Sequence, residues 1–228
     1  MLNHPAPMAK QRIQPDMLFD LDTLNKATVA ETPFPYMVVP DFLPRAGLDL
    51  VAKDFPAIDM PGLFPPEELD YGPNFQAALD DIAGQELRKV LGAKFGVDLT
   101  GRPTMTTVRA RARASDGKIH LDANFKIVTL LLYLNDSWEH KEGWLRALRS
   151  PVIDDFAAEV PPKGGLLFAF RCTPTAWHGH TSFMGQRRYI MMNYCESEAS
   201  LARERARHRF SAKVKKFKRR LGFGGIPA

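Results

Sequence analysis

Lys118-Ile119-His120-Leu121-Asp122, followed after a short gap by Ile127-Val128-Thr129-Leu130-Leu131-Leu132-Tyr133-Leu134, is the stretch on which the reading of this chain turns. The second segment is a continuous apolar run of strand length, closed by Asn135-Asp136. The first reads as a strand resuming after the turn signal Ser115-Asp116-Gly117. Residues two apart on a strand share a face, so His120 and Asp122 point the same way. Another histidine lies 56 residues beyond Asp122, in Trp177-His178-Gly179. A strand packed opposite would bring it to the same place. Two imidazoles and one carboxylate on one side of an ion suit Fe(II) and leave its other side open, whereas thiolates would favour zinc or clusters. Taken alone, His-x-Asp is a common tripeptide, and hydrogen-bonded core histidines with a turn aspartate account for it too.

Working outward, period-two patterning continues on both sides. Residues 105–114 alternate small or apolar side chains with Thr107, Arg109, Arg111 and Arg113. Residues 143–148, 166–171, 175–180 and 188–194 are further strand candidates, with a Pro161-Pro162-Lys163-Gly164-Gly165 turn and a Met184-Gly185-Gln186 turn between the later ones. Upstream, Tyr36-Met37-Val38-Val39 reads as a short strand and residues 45–53 as a helix. Residues 75–95 read as one helix, with Phe75, Leu79, Ile82, Leu87, Val90, Leu91 and Phe95 near a 3.6 period and Gly96 as the stop. Residues 55–74 form a Pro/Gly-rich loop long enough for a lid or a substrate-contact segment, or for an irregular wrap over the core. Helices first, then a run of short strands, point to a mainly β fold, a sandwich or open barrel with helices on one side.

The chain has 228 residues, 45% hydrophobic and 25% charged, enough for one domain with a full core. No apolar run approaches the ~20 residues that span a bilayer. Residues 1–14 lack the apolar centre of a secretory signal, and Cys172 and Cys195 form no metal-ligand spacing, so a reducing cytoplasm is expected. The net charge of +5 is uneven: residues 199–220 carry ten Lys/Arg and one acid, +9, leaving −4 (5 − 9) for the rest. That tail reads as a solvated helix packing through Leu201, Phe210, Val214 and Phe217, or as a contact for an anionic surface. The expected organisation is an arm over 1–35, a main domain over 36–198 and a basic C-terminal helix over 199–228.

Arg188 opens the last strand candidate, which is otherwise apolar. A buried guanidinium needs a partner, and it grips a carboxylate through two parallel bonds. Tyr133 ends the row Thr129, Leu131, Tyr133 and offers a hydroxyl to the same anion. Arg187 is the rival. Alternation favours Arg188, which shares a face with Ile190, Met192 and Tyr194. His180 shares the face of His178 and stands as an alternative ligand, an outer contact or a substrate contact.

Residues 105–194 resemble the catalytic core of the Fe(II)/2-oxoglutarate-dependent oxygenases, in the prolyl-4-hydroxylase-like branch. The matching blocks are residues 118–122, Val128 to Asn135 with Trp138, Gly143-Trp144-Leu145-Arg146, residues 161–168, and Trp177-His178-Gly179 through Arg188-Tyr189. The resemblance implies a double-stranded β-helix (jelly-roll) core with N-terminal helical support. It implies iron held by His120, Asp122 and His178, and 2-oxoglutarate chelating that iron, its far carboxylate on Arg188 and Tyr133. Thr129, Leu131 and Met192 would line the co-substrate pocket. The implied activity hydroxylates a C–H bond of a peptidyl, amino-acid or small-molecule substrate with O2, releasing succinate and CO2. His180, Arg109, Arg111, Arg113 and Trp177 are the candidates for substrate or outer contacts. The three arginines stand where such enzymes often carry a tyrosine. Other readings are a jelly-roll binding module without turnover, a cupin-like metal protein that does not use 2-oxoglutarate, and a nucleic-acid binder driven by the tail.

Overall fold

The computed structural model describes residues 17–203. Helices α1 (Leu21–Lys26), α2 (Arg45–Lys53), α3 (Pro73–Ala83) and α4 (Gln85–Phe95) come mostly before eight strands. The strands are β1 (Tyr36–Val39), β2 (Thr104–Ala112), β3 (Lys126–Tyr133), β4 (Leu145–Leu148), β5 (Phe156–Val160), β6 (Leu167–Arg171), β7 (His178–His180) and β8 (Gly185–Cys195). They form a five-stranded sheet in the order β1-β6-β3-β8-β2 and a three-stranded sheet in the order β5-β4-β7. Every described pairing is antiparallel, and the two sheets make the double-stranded β-helix that the family resemblance implied, within the β-sandwich or barrel class that the strand pattern pointed to.

The five-stranded sheet has two working faces, and their separation positions the site. Val128, Leu130 and Leu132 of β3 and Ile190, Met192 and Tyr194 of β8 pack into one apolar cluster with Leu48, Val51, Phe75, Ile82 and Leu87 of the helices. Leu131 and Tyr133, with Phe168, Phe170 and Tyr189, face the smaller sheet and build a second cluster with Leu145, Ala147 and Val160. Apolar residues on both faces explain why β3 is a continuous hydrophobic run instead of an alternating one. The register pairs Thr129 with Asn193, Leu131 with Met191 and Tyr133 with Tyr189.

Several expectations change. The helix expected over 75–95 is two helices, because Gly84 takes an extended conformation (φ −65°, ψ 158°) and caps α3 at one end and α4 at the other. The strand expected over 118–122 is absent. That stretch is loop, tied to β7 only by the His120–His178 bridge, whose two backbone bonds are 3.0 and 3.1 Å. β5 had no sequence signal, because Phe156-Ala157-Ala158-Glu159 is half-buried throughout and shows no alternation. The arm expected over 1–35 is, from Met17 onward, part of the body: Leu18, Phe19, Leu24 and Phe34 are buried in the two clusters. Asp20 caps α1 through a 2.8 Å bond from the Thr23 amide. Of the basic C-terminal segment, residues 198–203 are helical with Leu201 buried; the remainder, including Phe210, Val214 and Phe217, lies outside the described residues. Among the described residues no helix is long and apolar enough to cross a membrane.

Candidate metal centre and its cavity

His120, Asp122 and His178 each place one ligand atom within 4.8 Å of the others. His178 comes from β7, and its bridge to His120 brings the two imidazoles to a centroid distance of 4.2 Å. Each ring is locked from behind. His120 Nδ1 lies 2.8 Å from the Lys118 carbonyl, and His178 Nδ1 lies 2.9 Å from the Ala176 carbonyl. A carbonyl only accepts, so both Nδ1 atoms carry the proton and both Nε2 lone pairs are left for an ion. Burial, with help from the neighbouring His120, pushes the His178 pKa down to about 4, so this ring is neutral at neutral pH as ligation requires.

Asp122 sits on the loop, 7% exposed at its side chain, and both its oxygens are engaged. Oδ1 accepts a bond of 2.8 Å from Lys126 Nζ, and Oδ2 accepts from the Thr129 hydroxyl. Thr129 in turn accepts a 2.8 Å bond from Asn193 Nδ2 across the β3–β8 pairing. Burial pushes the Asp122 carboxyl up, but Lys126, His178 and Thr129 together outweigh it and hold the group below its ordinary value. Three fixed donors of imidazole and carboxylate type fit a divalent iron with open positions.

The triad lines a cavity of about 1350 Å³ that opens between the two sheets. This exceeds the ~300–1,000 Å³ of a usual ligand pocket and leaves room for two molecules. Thr129 and Leu131 line it, as the resemblance implied. Met192 does not: it is fully buried on the helix side, opposite Leu130, and Met191 takes the cavity position.

The placement of the two arginines also differs from expectation. Arg188 does share a face with Ile190, Met192 and Tyr194, but that face packs on the helices. Its guanidinium stacks 4.9 Å over the Phe55 ring, away from the cavity. Arg187 is the arginine that enters the cavity, 2% exposed. Its Nε and Nη2 each donate to the Gly143 carbonyl at 3.2 Å, and Nη2 lies 3.4 Å from the Tyr133 hydroxyl. The rings of Tyr133 and Tyr189 flank the guanidinium, each 5.3 Å from its carbon. Among the described residues no carboxylate lies within ion-pair reach of Arg187. Gly143 has φ +76°, and a Cβ there would stand 2.9 Å from Trp138, so the loop presents this carbonyl only with glycine. Burial raises the Tyr133 phenol, partly offset by Arg187, so the hydroxyl keeps its proton.

The remaining candidates separate cleanly. His180 lines the cavity but stands outside the ligand set; its Nδ1 lies 2.8 Å from the Thr181 carbonyl, and burial with nearby Arg187 lowers its pKa to about 4. Arg109 lines the cavity and is ion-paired to Asp116, while Arg111 and Arg113 are exposed to solvent. Trp177 does not line the cavity. The loop over 55–74 reaches the rim with Leu63, Pro66, Glu67 and Tyr71, pinned to β2 by two Phe64–Val108 backbone bonds of 2.9 and 2.8 Å. Lys126, Asn193 and Cys172 were not foreseen; only the strand register reveals that they surround Asp122.

Residues 109–196 match the family model described as the 2OG-Fe(II) oxygenase superfamily, and the His-Asp-His set lies inside that match. The jelly-roll core belongs to the 2OG-Fe(II) oxygenase superfamily. It is an oxygenase core of a family that uses Fe(II) and 2-oxoglutarate, with its triad intact. Among solved structures, a prolyl-4-hydroxylase (P4H) of Pseudomonas putida is similar with a TM-score of 0.52 at 18% identity, over 77% of this chain and 96% of that one. HygX from Streptomyces hygroscopicus, solved with iron bound, is similar with a TM-score of 0.50 at 15% identity, over 72% of this chain and 82% of that one. At these identities the likeness establishes the shared fold. No match was found among curated proteins.

Proposed function

We propose that this oxygenase is an Fe(II)- and 2-oxoglutarate-dependent hydroxylase. It acts on an unactivated C–H bond of an organic substrate, peptidyl, amino-acid or small-molecule, and releases succinate and CO2. One observation carries the assignment of co-substrate: a guanidinium buried with no carboxylate partner among the described residues, in the same cavity as the triad. A cation in that state is costly unless an anion joins it. A dicarboxylic acid that binds metal at one end supplies that anion at the other. A cupin-like protein that does not use 2-oxoglutarate has no need of such a residue.

His120, Asp122 and His178 would hold the iron, which supplies oxygen activation when bound. Arg187 and Tyr133 would receive the far carboxylate, the guanidinium through paired N–H donors and the phenol through its proton. Leu131, Tyr189 and Met191 keep that end of the cavity apolar and strengthen those bonds by excluding water. The loop over 55–74 would select the substrate, since it forms the rim. The test is succinate formation from 2-oxoglutarate under O2. It should require Fe(II) and vanish in His178→Ala; succinate production independent of iron, or retained in that variant, would overturn the assignment.

A further inference from the structure

Asp122 differs from the two histidines in how it is held. His178 lies on a strand and His120 is bridged to it through the backbone, but Asp122 lies on a loop and has no ladder bond of its own among those described. Its carboxylate is instead fixed by side chains. Lys126, at the start of β3, donates to Oδ1, and both partners are almost withdrawn from water, with side-chain exposures of 11% and 7%. Thr129, three residues further along the same strand and past the register irregularity between Lys126 and Val128, donates to Oδ2. The Thr129 hydroxyl can donate there because Asn193 Nδ2 donates to it, which leaves its single proton for the aspartate. Asn193 is fully buried on β8, so the chain of bonds is anchored in the central strand pair.

We propose that Lys126 and the Thr129–Asn193 pair form a two-point tether that orients the Asp122 carboxylate for metal binding. This rests on the proposed iron site. Each carboxylate oxygen carries two lone pairs; Oδ1, accepting from Lys126, keeps one, while Oδ2 accepts from Thr129 and, at 3.8 Å, from the Cys172 thiol. The tether fixes the plane of the group and would leave a carboxylate oxygen available to an ion beside the two histidines. It also keeps a buried anion paired in the metal-free protein, so that the site is formed before the metal arrives. Lys126 and Thr129 are therefore positioning residues, acting through Asp122.

The measurement is anaerobic titration of the purified full chain with Co(II), read by its visible d–d absorption, beside the melting temperature without metal. The wild type should bind with a d–d spectrum of a site holding nitrogen and oxygen ligands. Lys126→Met and Thr129→Val should each weaken binding by about 10- to 100-fold, the usual range for outer partners of metal ligands, and should change the band shape. Lys126→Arg should restore most of the affinity. A purely structural role would lower the melting temperature of the variants while leaving Co(II) affinity and band shape at wild-type values, and that result overturns the tether. A wild type that binds no Co(II) overturns the iron site itself, and the tether with it.

Discussion

Replacing Arg187 by methionine separates the anion site from the fold. The guanidinium is 2% exposed, held by one carbonyl and one long contact to a phenol, and flanked by two aromatic rings. Its dehydration is already paid in the free protein, so an arriving carboxylate gains charge-assisted bonds at little further cost. Truncating one partner of such a buried pair costs about 2–5 kcal/mol, roughly 30- to 4,000-fold in Kd. Arg187→Met should therefore lose 2-oxoglutarate affinity by at least ~30-fold, with metal affinity retained. The same change removes a buried cation that lacks a carboxylate partner, so the melting temperature without ligand should hold or rise. Arg188→Met is the control: it loses stacking on Phe55 and should leave 2-oxoglutarate binding unchanged. The assay is anaerobic calorimetric titration of 2-oxoglutarate into Mn(II)-loaded protein. Wild-type affinity in Arg187→Met, or a comparable loss in Arg188→Met, would refute the reasoning.

Three other outcomes follow from the same geometry. Gly117 has φ +81°, and a Cβ there would stand 2.4 Å from the His180 ring; Gly117→Ala should cost about 1–3 kcal/mol in urea unfolding, and an unchanged midpoint would contradict that contact. His178 and His180 have folded pKa values lowered from 6.5 to about 4, so their stabilising contribution is present above about 6.5 and is lost as pH falls toward 4. The metal-free melting temperature should fall across that window, more shallowly in His180→Gln, whereas Asp122, lowered from 3.8, acts only below it. Partial burial, together with the Asp122 charge, pushes the Cys172 thiol up to about 12, so it should react slowly with thiol reagents in the folded protein and faster on unfolding; rapid native labelling would contradict that upward shift.

Much of this site is written in local sequence. The Thr129–Leu131–Tyr133 row and the order of strands follow from turn signals and periodicity, because each depends on neighbours a few residues away, whereas the triad was legible as a motif although the strand expected to carry His120 and Asp122 is a loop. What failed depended on contacts distant in sequence. Alternation correctly grouped Arg188 with Ile190 and Met192, but both faces of β8 are apolar, and only its pairing with β3 decides which face meets the cavity. That pairing sets Tyr133 opposite Tyr189, and so selects Arg187 and Met191. Gly84 split a helix that the recurrence of apolar residues carried straight through, although Leu87 follows Ile82 by five residues, so the buried stripe of α4 does not continue that of α3. Asp122 reaches the site without being in a strand, because its position comes from Lys126 and Thr129 instead of a ladder.

Fe(II) and 2-oxoglutarate should bind together at this triad. Anaerobic addition of both to the wild type should produce a weak visible charge-transfer band that requires each component and is lost in His120→Ala and in His178→Ala. Absence of the band in the wild type, or its persistence in both variants, would contradict the account.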